Sequence, residues 1–192
     1  MNPVSIVGPL LSLRELREDD TDALLAVYGS AQATEHLSFE PRTRAQVEAI
    51  VIGTIRDASA EPRTVYGLAI TSGDSDDLIG YARLAVEPHR AGQIGFALSP
   101  ATWGRGLGAE TVHALLLLGF RDLGLHRMWG ARSPKNLASA AVMLKNGMSE
   151  EGRIRDHVFT HGAWRDSVTH SILEAEWTAA GPKGVSPGYG LS

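Results

Sequence analysis

Residues 93–123 read QIGFALSPATWGRGLGAETVHALLLLGFRDL. Residues 93–98 (QIGFAL) form a strand that Pro100 stops, residues 103–108 (WGRGLG) form a loop, and residues 109–123 have the length and apolar content of a buried helix. Gly104, Gly106 and Gly108 alternate just before that helix, so several backbone N–H groups can point into one concavity with no Cβ in the way. A helix N-terminus carries about half a positive charge, worth ~0.3–1 kcal/mol to a nearby anion. Phosphate is the natural guest. A glycine-rich turn that only lets helix and strand pack closely has the same spacing, and on this stretch alone both readings stay open.

Other glycine-loop chemistries do not fit. GxxxxGK[ST] and GxSxG occur nowhere in the chain, which removes a P-loop and a nucleophile elbow. A dinucleotide fold places GxGxxG in its first strand-helix-strand unit, whereas GRGLGAE lies past the middle of this chain, after strands that read as antiparallel. What remains is the diphosphate of an acyl-coenzyme A.

Before the loop, residues 10–16 (LLSLREL) read as a strand, and Asp19 or Asp20 can cap a helix with Ala23, Leu24, Val27 and Tyr28 on one face. Thr43 and Gln46 make a capping box for a second helix through Val47, Ile50, Val51 and Ile55. The loop between the two carries Phe39 and Glu40. Residues 64–71 and 78–86 flank the turn-rich SGDSDD as a hairpin. After the loop, residues 126–132 read as a strand, and Ser133-Pro134 starts a helix with Leu137, Ala140, Ala141 and Leu144 on one face, stopped at Asn146-Gly147. Residues 153–160 and 164–173 form a closing hairpin, and residues 178–192 lack periodicity and read as a flexible tail. The expectation is a single domain over residues 1–177, an α/β (α+β) fold with helices packed on a mixed sheet.

The chain has 192 residues, 43% apolar and 21% charged, enough for one packed core. Its formal charge is −4, with charges scattered and no basic stripe, which disfavours nucleic acid. Cysteine is absent, so no disulfide, thiolate metal site or acyl-cysteine intermediate forms. The longest apolar run, residues 114–120, falls short of the ~20 residues that span a bilayer, and the amino terminus has no basic n-region. A cytoplasmic protein is expected. Arginine supplies fifteen of the eighteen basic residues, a usage suited to a GC-rich bacterial genome.

The ordered set of motifs resembles the GNAT superfamily of N-acyltransferases, whose signature is [Q/R]xxGx[G/A] between the fourth strand and the next helix. Gly106 and Gly108 match, and Trp103 replaces the leading Gln or Arg. The resemblance narrows to the branch of ribosomal-protein N-terminal acetyltransferases (the Rim type), which often has a Trp-Gly-basic-Gly string after an IGY-like strand, here Ile94-Gly95-Phe96. Its NxxS motif fits Asn136-Leu137-Ala138-Ser139, and KNGM at residues 145–148 and GRIRDHVFTHGAWRDS at 152–167 look like its closing segments.

The resemblance implies a mostly antiparallel seven-stranded sheet, flanked by about four helices and splayed between strands four and five, with acetyl-CoA in the opening. Backbone groups near Phe96 and Leu98 would bond the pantetheine arm. The loop Trp103, Gly104, Arg105, Gly106, Leu107, Gly108 and Ala109 would hold the pyrophosphate, Asn136 would contact coenzyme A, and Ser139 would protonate the leaving thiolate. The implied reaction is direct transfer of acetyl to a primary amine, with a protein or peptide N-terminal α-amine as favoured acceptor. A small-molecule amine (antibiotic, polyamine or amino acid) and a non-catalytic acyl-CoA-binding module are the alternatives. Many superfamily members place a carboxylate near the start of strand four, where this chain has Gln93; Glu87, Glu40 and His157 are substitutes for the base.

His157 and His161 are four apart and lack a third ligand, so no metal is expected. Trp129, Trp164 and Trp177 read as core or sheet-face aromatics. One flank of the helix over residues 109–120 is left open as a homodimer contact.

Overall fold

Period-two burial along the predicted strands and period-3.6 burial along the predicted helices resolve into one layered sheet in the computed structural model, which describes residues 3–73, 75–179 and 190–191. The strands are β1 (Ser5–Val7), β2 (Leu11–Glu15), β3 (Val65–Ser72), β4 (Leu78–Glu87), β5 (Ala91–Leu98), β6 (Arg127–Arg132), β7 (Ser149–Thr160), β8 (Ala163–Leu173) and β9 (Gly190–Leu191). Their order across the sheet is β7-β8-β6-β5-β4-β3-β2-β1-β9. Every neighbouring pair is antiparallel except β5 and β6, which run parallel. The helices are α1 (Thr21–Tyr28), α2 (Ala31–Thr34), α3 (Arg44–Ala58), α4 (Leu107–Leu117), α5 (Leu137–Lys145) and α6 (Glu174–Ala179).

The sheet thus has nine strands among the described residues, not seven. The two extra strands are three and two residues long, too short to show alternation in the sequence. Four helices become six for the same reason, since α2 has four residues and α6 six. Within the expected tail, Gly190–Leu191 pair with Ile6 and Val7, and residues 180–189 and 192 lie outside the described residues.

Two apolar clusters sandwich the sheet. On one face Leu84, Ile94, Met128 and Ile172 pack beneath Val112, Leu115 and Leu116 of α4; on the other, Ala69, Tyr81 and Ala97 meet Leu24, Val27 and Tyr28 of α1 and Val47 and Val51 of α3. From Gly80 onward, even-numbered positions of β4, with those of β5 and β6, face α4, and odd-numbered positions of β4 and β5 face α1 and α3; the register shift at Ile70/Thr71 reverses Leu78 and Ile79. The Thr43–Gln46 capping box is present in both directions, with Thr43 N–H donating to Gln46 Oε1 at 3.0 Å. Asp20 does not cap α1 by its side chain; that carboxylate instead receives Arg17 N–H at 2.7 Å and pairs with Arg14 at 2.8 Å.

Three further expectations change. From Glu110 to Phe120 every residue except half-buried His113 is buried, so the helix offers no exposed apolar flank to a second copy. Helix α5 begins at Leu137 with Asn136 as its cap, not at Ser133-Pro134, and the expected buried stripe faces out: Leu137 and Leu144 are 72% and 57% exposed, while Met143 is buried. Trp164, by contrast, is a sheet-face aromatic as expected, exposed and set edge-on against its cross-strand partner Phe159.

Candidate active site

The parallel pair β5–β6 is joined only at Ala91↔Arg127, Gly92↔Met128 and Gln93↔Trp129. Beyond Gln93 the two strands part, and Ile94, Phe96 and Leu98 have no strand partner on that side. Ser99 N–H donates to Ile79 carbonyl at 2.8 Å, and antiparallel pairing alternates. Odd residues of β5 therefore spend their backbone groups on β4, while those of Phe96 and Leu98 face the opening.

At the mouth of the opening, the Trp103 indole N–H donates to the Leu98 carbonyl at 3.0 Å. It ties the end of β5 to the loop. Gly104 and Gly106 have φ of +75° and +83°, a region that L side chains adopt poorly, and a Cβ at either would meet only open space or, for Gly106, Leu10 at 3.9 Å. Gly108 has ordinary φ, but a Cβ there would lie 3.2 Å from Val142 and 3.4 Å from Phe96. Close packing therefore applies at Gly108, whereas Gly104 and Gly106 turn the chain.

The amides of Gly106, Leu107 and Gly108 have no hydrogen-bond partner among the described residues and open the first turn of α4. The Ala109 amide, expected in the same set, is engaged with the Gly106 carbonyl at 3.1 Å. Arg105 is exposed beside them. Three free donors at the positive end of a helix suit a diphosphate. In the same turn, buried Glu110 accepts the amides of Leu10 and Leu11 at 2.8 and 3.3 Å, fixing α4 to β2.

Across the opening, Asn136 Oδ1 accepts the Ser139 amide at 2.9 Å. The NxxS spacing is thus also the spacing from an N-cap to N3. The turn before Asn136 is set by buried Arg132, whose guanidinium donates to the carbonyls of Ser133 and Pro134 at 3.2 Å each and pairs with Glu150 at 3.2 Å. At the α5 end, Asn146 Nδ2 donates to the Ala109 carbonyl at 3.0 Å, so the helices that flank the opening are pinned together.

Of the residues considered as bases, Gln93 lies on β5 opposite Trp129. Glu87 accepts the Trp129 indole N–H at 2.8 Å. Glu40 accepts the His161 amide at 3.1 Å, which joins the α2–α3 loop to the hairpin tip. His157 is exposed on β7, and His161 sits in the turn with φ of +51°, so the two share no strand face.

The sequence reading missed His170, which is fully buried on β8 between Gly130 and Glu150 with 3.7 Å from its Nε2 to Glu150 Oε2. Burial pushes its pKa down, and the charge of Arg132 adds to this. Its place between Val168 and Ile172 in a period-two apolar run was the available signal. On the α1/α3 face, Tyr28 is pushed up by burial, with Arg42 and Arg83 acting in the opposite sense.

The chain matches the acetyltransferase (GNAT) domain family over residues 11–149. An uncharacterized N-acetyltransferase, YoaA of Bacillus subtilis, is 28% identical over 167 residues, covering 85% of this chain and 93% of that protein. The [ribosomal protein uS5]-alanine N-acetyltransferase of Escherichia coli is 25% identical over 108 residues, covering 55% and 56%. In fold, the chain is similar to RimL, the ribosomal L7/L12 alpha-N-protein acetyltransferase solved with coenzyme A, at a TM-score of 0.78 and 21% identity over 90% of this chain and 98% of that one. A sheet that parts beside a helix with free amides, together with this match over most of its length, makes the chain a member of the GNAT family of acetyl-CoA-dependent N-acetyltransferases.

Proposed function

We propose that the acceptor is the α-amine of a protein or peptide amino terminus, acetylated by direct transfer within a ternary complex in the cytoplasm. One observation carries this reading: the start of β5 bears Gln93, and the carboxylates considered in place of a base, Glu87 and Glu40, already accept hydrogen bonds from Trp129 and His161. An amine must be neutral to attack the thioester. At pH 7 deprotonation costs about 1 kcal/mol for an α-amine of pKa near 7.7, but about 4.6 kcal/mol for a lysine of pKa near 10.4. A site with glutamine in place of a carboxylate at the start of β5 suits the α-amine. The relatives that act on ribosomal proteins support the same choice.

In this reading the amides of Gly106, Leu107 and Gly108 bind the diphosphate of acetyl-CoA, with Trp103, Gly104, Arg105 and Ala109 shaping the loop around it. The free backbone groups of Phe96, and the Leu98 amide, hold the pantetheine arm along β5. Asn136, with its Oδ1 spent on the cap, offers its Nδ2 to coenzyme A. Ser139, half-buried at the third position of α5, gives its hydroxyl proton to the departing sulfur. The amine arrives from the α1/α3 face over Gly95, where a Cβ would meet nothing within 4 Å.

The test is thiol release from acetyl-CoA across a panel of peptide amino termini and small amines, beside calorimetric titration of coenzyme A. Transfer to peptides with an intact-mass gain on the α-amine is expected. Transfer to small amines alone overturns the acceptor, and coenzyme A binding without transfer to any amine points to a binding module.

A further inference from the structure

Arg165 lies on β8, on the sheet face shared by its cross-strand partner Val158 and by Ser167. Its Nε and Nη1 are buried, and its guanidinium makes no hydrogen bond or ion pair among the described residues. Burial alone accounts for the lowering of its pKa, with no carboxylate to offset it. The neighbouring hairpin residue Thr160 is 7% exposed, and its Oγ1 is also buried without a partner. Buried polar groups are almost always satisfied, by protein, water or ligand. A buried charge without a partner is costly.

Two more arginines stand on this side of the sheet. Arg83 is exposed on β4 directly across from Gly95, the open floor of the cleft, and takes part in no ion pair among the described residues. Arg42 stands on the α2–α3 loop with its guanidinium 4.6 Å above the Phe39 ring, and its Nε is buried without a partner. The Arg42 amide donates to the Tyr28 carbonyl at 2.8 Å, and the Tyr28 ring packs edge-on against Tyr81, two residues along β4 from Arg83, so both arginines flank one wall. Arg165 stands on the facing hairpin, whose tip meets that loop through the His161–Glu40 bond. Of the carboxylates beside this space, Glu87 accepts the Trp129 indole N–H and Glu40 accepts the His161 amide at the hairpin tip, and neither pairs with an arginine among the described residues. In a chain of formal charge −4, unpaired arginines on both sides of one cleft point to an anionic guest.

We propose that the acceptor carries a carboxylate a few bonds from its amine, received by Arg165 and Thr160 on the hairpin with Arg83 and Arg42 opposite. This rests on the reading of the cleft as the acceptor site. The carboxylate comes from an acidic residue just after the amino terminus of a peptide or from the α-carboxylate of a small amino acid. Both present the same chemistry to a guanidinium fork.

The test compares kcat/KM for peptides that differ only by Glu or Gln at the second and third positions, and for amino acids against their amides, using wild type and the R165Q and R83Q variants. A charge-assisted hydrogen bond sets the scale: wild type should favour the acidic member of a pair by roughly 10- to 100-fold, and R165Q should erase most of that difference. A preference within the peptide pairs identifies a side-chain carboxylate, and one confined to amino acids identifies the α-carboxylate. Coenzyme A titration of each variant, unchanged from wild type, shows that the fold and donor site persist. Equal rates for acidic and neutral acceptors, or R165Q losing both alike, overturn the proposal. A second readout does not need turnover: titration of N-acetylated Glu and Gln peptides into the coenzyme A-bound protein. If no acceptor reacts but the Glu peptides bind more tightly, the acetyl-transfer reading of the cleft fails while the carboxylate site stands. Equal binding overturns the site itself.

Discussion

The glycine loop yields a prediction in which two substitutions should exchange rank between neighbouring positions. At Gly106 the φ of +83° excludes most L residues, and the space around a Cβ is open apart from Leu10 at 3.9 Å. The penalty there is conformational, about 1–2 kcal/mol for alanine, and smaller for asparagine, which tolerates the left-handed region. In a chain of this length 1 kcal/mol moves the melting temperature by about 2–4 °C, so Gly106→Ala should melt about 2–8 °C lower and Gly106→Asn less. At Gly108 the constraint is contact, with Val142 at 3.2 Å and Phe96 at 3.4 Å from an added Cβ. Alanine needs a small adjustment there, whereas asparagine drives further atoms into the seam between α4, α5 and β5. Asparagine should therefore outrank alanine at 106 and fall below it at 108. Thermal unfolding of the four variants reads the order directly, and calorimetry adds the ligand's view. If Gly106→Ala shifts the loop, coenzyme A affinity falls by about 5- to 30-fold, the equivalent of the same 1–2 kcal/mol. A Gly106→Asn protein that melts at or below Gly106→Ala, or a Gly108→Asn that melts above Gly108→Ala, refutes the division of roles.

Ser139→Ala should lower kcat by about 100-fold or more while leaving the coenzyme A Kd nearly unchanged, the range for loss of a general acid; single-turnover kinetics beside calorimetry separate the two, and an unchanged kcat removes Ser139 from the chemistry. Trp103→Phe loses the bond to the Leu98 carbonyl and should weaken coenzyme A binding by about 2- to 10-fold, the scale of one partly exposed hydrogen bond. Arg63 is 3% exposed, grips Glu15 at 2.7 and 3.0 Å and lies over the Tyr66 ring; because Glu15 is 20% exposed, Arg63→Met should cost about 2–3 kcal/mol in urea unfolding, below the ~3–5 of a fully buried pair. Burial holds the His170 and His113 pKa values below 6.5 in the folded chain, so the unfolded chain binds more protons as pH falls through that value. Their contribution is complete above pH 6.5 and is lost on acidification; His170→Asn should flatten the fall in melting temperature between pH 7 and 5, and an unaltered slope places the loss elsewhere.

How much of the fold can be read from the sequence depends on how local its causes are. The Thr43–Gln46 box, the hairpin around SGDSDD and the Pro100 stop each act within a few residues, and each appears where its chemistry places it. Strand β1 and helix α2 have too few residues to carry a period. Helix α5 misleads because the spacing of its apolar residues points to the core, while their exposure is set by the neighbours that cover them. The core contact falls to Met143 and half-buried Val142, the residue that meets Gly108, and Leu137 and Leu144 are left outside. Periodicity shows that a helix has an apolar stripe. It does not show that the stripe is the one that is covered.

The same distinction divides the two sides of the cleft. The donor side is written in consecutive residues because its demands fall on the local backbone: a positive φ at Gly104 and Gly106, a free amide at the next positions, and a cap at Asn136 that also spaces Ser139. A short string can record such demands, and it is legible without the fold. On the acceptor side, Arg42, Arg83 and Arg165 come from three distant elements, and the property that unites them is that no carboxylate pairs with them among the described residues. In the sequence they look like the other twelve arginines. Several of those are claimed by carboxylates once the chain folds, as Arg14 is by Asp20 and Asp76, Arg63 by Glu15 and Arg127 by Glu151. A charge becomes a sign of function only after the fold has distributed its counter-charges, and so the donor of this reaction can be read from the sequence while its acceptor cannot.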